Sequence, residues 1–267
     1  MKTILMLVHD DAGQEARFQV ALDVTRALEG HLKCLDVSVM PVLVGDFYSG
    51  AGEAMLLADE REREGENRTT LEARLATEGL PWDWTDVTGQ LAPELEAGSA
   101  FADLIVVNRA LDDFPLPNMR GVAGDILLRS GKPTLAVPQD VRGIDLFGHA
   151  LICWDGSACA SAALRAAVPL LKLAGSVTLL EVVEDGKPST AEDAAEFLSR
   201  HDVHPQIHRR HPLTREADKV ILDEIGFVGA DYVVMGGFSH LRFTEALFGG
   251  VTRTMLSHAP VPLFLAH

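Results

Sequence analysis

The chain has 267 residues, with 23 Lys and Arg against 39 Asp and Glu, a formal net charge of -16 and a pI near 4.9. Such a balance excludes general affinity for nucleic acid or anionic membrane, because phosphate contacts need clustered cations. Hydrophobic residues make up 47% but aromatic ones only 6%, so the apolar content is aliphatic and suits strands sandwiched between helices.

Met1 and Lys2 lead directly into Thr3 to Val8, a run too short for a signal peptide or a bilayer span, and a cytoplasmic location is expected. Short apolar runs then alternate with helical periodicities. In the first half, strands are predicted at Ile4 to Val8, Leu32 to Val37, Trp82 to Val87, Leu104 to Val107 and Thr134 to Val137. Phe18, Ala21, Leu22, Thr25 and Leu28 recur at helical spacing, so a helix from Glu15 to Leu28 should lay one face on the sheet. A glycine-containing loop at 45–52, the expected mobile element, precedes a charged helix from Glu53 to Glu78. Within that helix, Glu60-Arg61-Glu62-Arg63-Glu64 reads as a solvated face. By elimination, Val141 to Asp145 is a linker.

Beyond it, strands are predicted at Ala150 to Cys153, Val177 to Val183, Gln206 to Arg209, Tyr232 to Met235 and Leu263 to Ala266. Pro169 should kink a helix spanning Ser157 to Leu173, since it removes a backbone donor at a cost of about 3 kcal/mol. Ser157 and Thr214 are predicted N-caps, and Gly229 stands where a helix should stop. Three cysteines, Cys34, Cys153 and Cys159, read as buried small hydrophobes in a reducing compartment.

The two halves echo each other. Ala102-Asp103-Leu104-Ile105-Val106-Val107 is repeated as Ala230-Asp231-Tyr232-Val233-Val234-Met235, and Gly121-Val122 precedes Pro133 by the same 12 residues that separate Gly250-Val251 from Pro262. The expected fold is α/β, with two tandem doubly wound domains, 1–143 and 144–267, each a five-stranded parallel sheet of order 3-2-1-4-5 with helices on both faces. Two separate sheets are expected, and a single continuous one would count against the duplication.

In such sheets a ligand sits beyond the carboxyl ends of strands one and four, where the strand order reverses. In the second half those strands end in Trp154-Asp155-Gly156-Ser157 and Met235-Gly236-Gly237-Phe238. Asp155 could meet an adenine or ribose, with phosphates on backbone N–H groups at Gly249 and Gly250, where the last helix begins. Alternatively, Gly236 and Gly249 shape tight turns and Asp155 caps a helix.

This half resembles a universal stress protein domain, whose nucleotide-binding members carry G-x-x-G, nine residues, then G-[S/T] after the fourth strand. Gly236 matches the first glycine, Ser239 stands at the second, His240 to Phe248 supply the nine, Gly249 matches the third, and Gly250 replaces the Ser or Thr. The resemblance further implies that Asp155 contacts adenine, that Val182 is the strand-two valine, and that Met235 and Val251 flank the site. ATP or AMP is the implied ligand, and no metal is expected. Ser239 at a positive φ would cost on the order of 1 kcal/mol. Loss of the hydroxyl at Gly250 removes a bond of about 1.5 to 3 kcal/mol to a charged phosphate. Together they would weaken binding by about two to three powers of ten.

The first half departs further: His9 stands in register with Asp155, Asn108 with Gly236 and Arg120 with Gly249, while Phe114-Pro115-Leu116-Pro117 lacks the donors of a phosphate turn. It is read as a structural partner that pairs with the second half as tandem members of the family do, with a homodimer as a further arrangement. His201, His204, His208 and His211 read as solvated rather than metal-binding, since Pro205 breaks their register. The G-x-x-x-x-G-K-[ST] loop of P-loop ATPases is missing. The leading reading is a non-catalytic stress-response module. Its alternatives are a scaffold assembling through strand-five edges or the 45–52 loop, and a hydrolase of the adenine-nucleotide α-hydrolase-like group.

Overall fold

Apolar side chains at both parities of a strand leave no face for water, so Ile4 to Val8 demand helices above and below. All five are buried in strand β1 (Thr3–Val8). The structure, a computed structural model, describes residues 1–39, 50–111, 118–183, 189–211, 216–238 and 250–267. After β1 come α1 (Gln14–Ala27), β2 (His31–Val39), α2 (Gly50–Leu75), β3 (Trp82–Gly89), α3 (Leu91–Gly98), β4 (Leu104–Asn108), α4 (Met119–Arg129) and β5 (Thr134–Val137). The second series is β6 (His149–Trp154), α5 (Ala158–Leu171), β7 (Ser176–Val182), α6 (Ala191–Ser199), β8 (Gln206–Arg210), α7 (Ala217–Val228), β9 (Tyr232–Gly236), α8 (Gly250–His258) and β10 (Leu263–Ala266).

All ten strands form one sheet in the order β3-β2-β1-β4-β5-β10-β9-β6-β7-β8. The expectation of two separate sheets is corrected, yet each half keeps the order 3-2-1-4-5 with every internal pairing parallel. Only β5 and β10 run antiparallel, pairing Ala136 with Leu263, Leu135 with Phe264 and Thr134 with Leu265. The continuous sheet is the outcome expected to count against duplication; that expectation is corrected too, because two copies of one unit joined edge to edge also give identical parallel orders on either side of one antiparallel seam. It also uses up both strand-five edges, which removes the edge-to-edge route of the scaffold reading.

Helices α1, α2, α5 and α6 pack on one face of the sheet, around Ile4, Met6, Phe18, Ile152 and Phe264. On the other face α3, α4, α7 and α8 pack around Leu5, Leu7, Leu151, Val233 and Leu265. Each such fully buried side chain stabilises the fold by about 1.5–3 kcal/mol relative to leaving it in water. Across the seam, Arg109 donates to Ser257 O at 2.5 Å and Arg120 to Ser257 Oγ at 3.0 Å, while the Phe238 ring lies against Gly124.

Local expectations meet different outcomes, and the helix stop expected at Gly229 holds. The loop expected at 45–52 gives way to helix by Gly50, where α2 begins, and 45–49 lie outside the described residues, as do Thr214 and Phe114 to Pro117. α5 continues through Pro169 to Leu171 and ends two residues after it, so the proline sits in the last turn. Gly229 ends α7 in the left-handed region at φ 64°, ψ 47°, where glycine lacks the Cβ penalty.

Candidate functional site

Strand β6 delivers Asp155 just past its last residue, Trp154, and β9 delivers Met235 and Gly236 beside it, with Cys153 paired to Met235. On the other side β7 ends in Val182, one residue after the Glu181 that pairs with Trp154. Asp155, Val182, Met235 and Gly236 therefore gather at the carboxyl ends of three adjacent strands. Gly250 and Val251 open α8. The Phe238 N–H donates to Thr252 Oγ1 at 3.2 Å, which ties that first turn to the exit of β9. Ser239 and Gly249 lie outside the described residues.

Asp155 is exposed, and its Oδ1 accepts from the Ser157 N–H at 2.9 Å across Gly156, which stands at φ 74°. The helix cap is Ser157, whose side chain accepts from Ala160 N–H at 3.0 Å, so the alternative of Asp155 as the cap is corrected. Beneath, burial pushes the Cys153 thiol up to about 12, with the charges of Asp155 and Glu224 adding to it. That thiol is no nucleophile near neutral pH.

Gly236 has a packing reason to be glycine. A Cβ there would lie 2.5 Å from Ala160 N and 2.6 Å from the Cys159 carbonyl carbon, so the first turn of α5 rests directly on the strand exit. Its neighbour Gly237 donates to Ala266 O at 2.9 Å and its carbonyl faces His267 Nδ1 at 2.9 Å. Trp154 Nε1 donates to Thr190 Oγ1 at 2.9 Å, and Thr190 N–H donates to Glu181 Oε1 at 3.1 Å, closing the β7 side with a polar chain.

The corresponding crevice of the first half is filled from within. Arg17, fully buried on α1, sends Nε to Leu7 O at 3.0 Å, one terminal nitrogen to His9 O at 2.8 Å and the other to both Asp11 oxygens and to Asn108 Oδ1. Asn108, where the second half has Gly236, donates to Gly13 O at 3.2 Å and Val137 O at 3.3 Å. A Cβ on Gly13 would come within 2.5 Å of the Asn108 amide. The guanidinium thus occupies the point where β1 and β4 part. Sequence reasoning passed over Arg17, although it lies four residues before Ala21 and so on the predicted apolar face.

Asn118 caps α4 by accepting from Gly121 N–H at 3.1 Å, which spends a donor that an anion would otherwise take. The histidine cluster also disperses: His208 Nδ1 lies 2.7 Å from Glu224 Oε1, within hydrogen-bonding distance, while His204 is exposed.

A family model described as the universal stress protein family matches residues 147–267. Residues 147–267 belong to the universal stress protein family. The whole chain is similar in fold to a universal stress protein from Archaeoglobus fulgidus DSM 4304, with a TM-score of 0.78 at 18% identity, covering 99% of this chain and 95% of that one. A functionally unknown protein from Pseudomonas aeruginosa PAO1 gives a TM-score of 0.64 at 14% identity, covering 100% of this chain and 92% of that one. At these identities the likeness is one of fold. No curated protein matches the chain. Among the described residues, no helix is long and apolar enough to cross a membrane.

Proposed function

We propose that the chain is a non-catalytic stress-response module in which 144–267 holds an adenine nucleotide, ATP or AMP, between β6 and β9, while 1–143 serves as its fixed structural partner. The contrast between the two crevices carries this reading: one is plugged by a buried arginine, and the other presents the exposed Asp155 beside Met235 and Val182 with a helix start opposite. Asp155 suits a ribose hydroxyl or an adenine amino group, both donors to a carboxylate. Phosphates suit the N–H groups that open α8, because the positive end of a helix favours anions. A hydrolytic reading would need a base or metal group facing Asp155, and the Cys153 thiol beneath it is unfit for that role.

Extraction of the purified protein followed by nucleotide chromatography, together with calorimetric titration of ATP and AMP, tests the proposal. One adenine nucleotide per chain is expected, with binding lost in Asp155→Ala. The absence of both a co-purified nucleotide and measurable binding at millimolar ATP would overturn it in favour of a ligand-free scaffold.

A further inference from the structure

Where the second half has Asp155, the first half carries His9, and α2 lowers two glutamates onto it. Glu60 and Glu64 are one helical turn apart and so share a face of α2. That face presses on the carboxyl ends of β1 and β2, where His9 and Glu64 are buried at 5% and 2% exposure. The expectation of a wholly solvated run from Glu60 to Glu64 is corrected: Arg61, Glu62 and Arg63 face water, but Glu64 does not.

His9 Nδ1 lies 2.7 Å from Glu64 Oε1 and 3.8 Å from Glu60 Oε1, and the three ligand atoms all fall within 4.8 Å of one another. Despite the short approach to Glu64, Nδ1 has no hydrogen bond of good angle among the described residues. A buried imidazole nitrogen without a well-aligned partner beside two carboxylates is a position that a cation can satisfy. Asp36 adds an independent sign. It pairs in register with Val8, the residue before His9, it shares a cleft of about 400 Å³ with Glu64, and its Oδ1 is buried with no hydrogen-bond partner. Arg63, 46% exposed, reaches Glu60 Oε2 at 2.7 Å from the solvent side and stands 3.8 Å from Glu64 Oε1. The carboxylates are held in place from behind: Asp10 N–H donates to Glu64 Oε1 at 3.0 Å, Asn67 Nδ2 to Glu64 Oε2 at 3.1 Å and Val39 N–H to Glu60 Oε1 at 3.3 Å. Such supporting bonds are typical of oriented metal ligands.

We propose that His9, Glu60 and Glu64 form a binding site for a divalent transition-metal ion of the Zn²⁺ type, separate from the nucleotide crevice. One imidazole with two carboxylates suits such an ion, whereas Ca²⁺ and Mg²⁺ favour oxygen-only ligand sets. Ligands at about 2.0–2.2 Å from a tetrahedral ion stand about 3.3 Å apart, within the spread seen here, so side-chain shifts on the order of 1 Å complete the site.

The test uses the full chain, stripped by a chelator and then titrated with Zn²⁺ against a chromophoric competitor and with Co²⁺ by visible absorption. One Zn²⁺ per chain and a tetrahedral Co²⁺ spectrum are expected, with affinity falling at least about tenfold in Glu60→Gln and His9→Ala. Should His9→Ala fail to fold, Glu60→Gln still decides, since Glu60 is partly open to solvent. Absence of saturable binding at one equivalent would overturn the site. So would binding that survives Glu60→Gln and disappears in His204→Ala.

Discussion

Arg17 donates from one terminal nitrogen to both carboxylate oxygens of Asp11 at 3.0 Å, and neither side chain is more than 5% exposed. A charge pair this deep stabilises the fold only while both partners remain, since either alone is a buried, unmatched ion. Arg17→Met keeps most of the volume but strands Asp11, and a loss of about 3–5 kcal/mol is expected. Adding Asp11→Asn should recover part of it. Urea denaturation at constant slope measures both changes, and a loss below about 1 kcal/mol in Arg17→Met would show that the network is not what closes the first crevice.

Gly236→Ala places a methyl 2.5 Å from the Ala160 nitrogen, against helix backbone that cannot rotate away. Overpacking of this kind costs about 1–3 kcal/mol. Gly250 is the internal control: among the described residues, nothing lies within 4 Å of a Cβ there. Gly250→Ala should change stability by no more than about 0.5 kcal/mol. Thermal melts of the two variants side by side distinguish a packing glycine from a permissive one, and equal effects would refute the assignment.

Much of this architecture was legible in advance because period and burial agree. All ten strands begin within one residue of their predicted starts, and the repeat of Ala102 to Val107 in Ala230 to Met235 marks the same edge of β4 and β9. The seam was not legible. Joining β5 to β10 depends on how the edges of two finished sheets meet, which no local pattern encodes. The site was readable where a residue type has one physical use, as with Ser157 at a helix start. It was obscured where one residue serves two purposes: Gly236 fits both a phosphate turn and a close helix contact, and only the position of Ala160 reveals the latter. Charge misled at α2, because a run of alternating sign has one face inward once the helix docks, and Glu64 falls on that face.

Glu224 provides the pH test. Burial pushes its carboxyl up, but bonds from Arg210, Nε at 2.7 Å and a terminal nitrogen at 2.9 Å, and from His208 together outweigh this and hold it below the ordinary value of 4.5. A carboxyl with a depressed native pKa binds fewer protons folded than unfolded, so its stabilisation is fully present above about 4.5 and fades as pH falls through the lower, folded value. Wild type should therefore exceed Glu224→Gln in stability at pH 7, with the gap closing below pH 4.5. Denaturation midpoints at several pH values measure the gap. One that widened on acidification would reverse the assigned sign.

Gly250 offers a gain-of-function test of the proposed nucleotide site. The family pattern places Ser or Thr here, and the open space around Gly250 can receive the side chain without displacing any described neighbour. At the first residue of α8 a hydroxyl would point toward the same donors that are proposed to hold phosphate. A hydrogen bond to a charged oxygen contributes about 1.5–3 kcal/mol, which corresponds to an affinity gain of about 10- to 100-fold. Gly250→Ser should accordingly tighten ATP binding by that factor in calorimetry and tighten adenosine binding hardly at all, because adenosine has no phosphate to accept the bond. Equal gains for both ligands would place the phosphates elsewhere. No gain for either would argue that the start of α8 does not face the nucleotide.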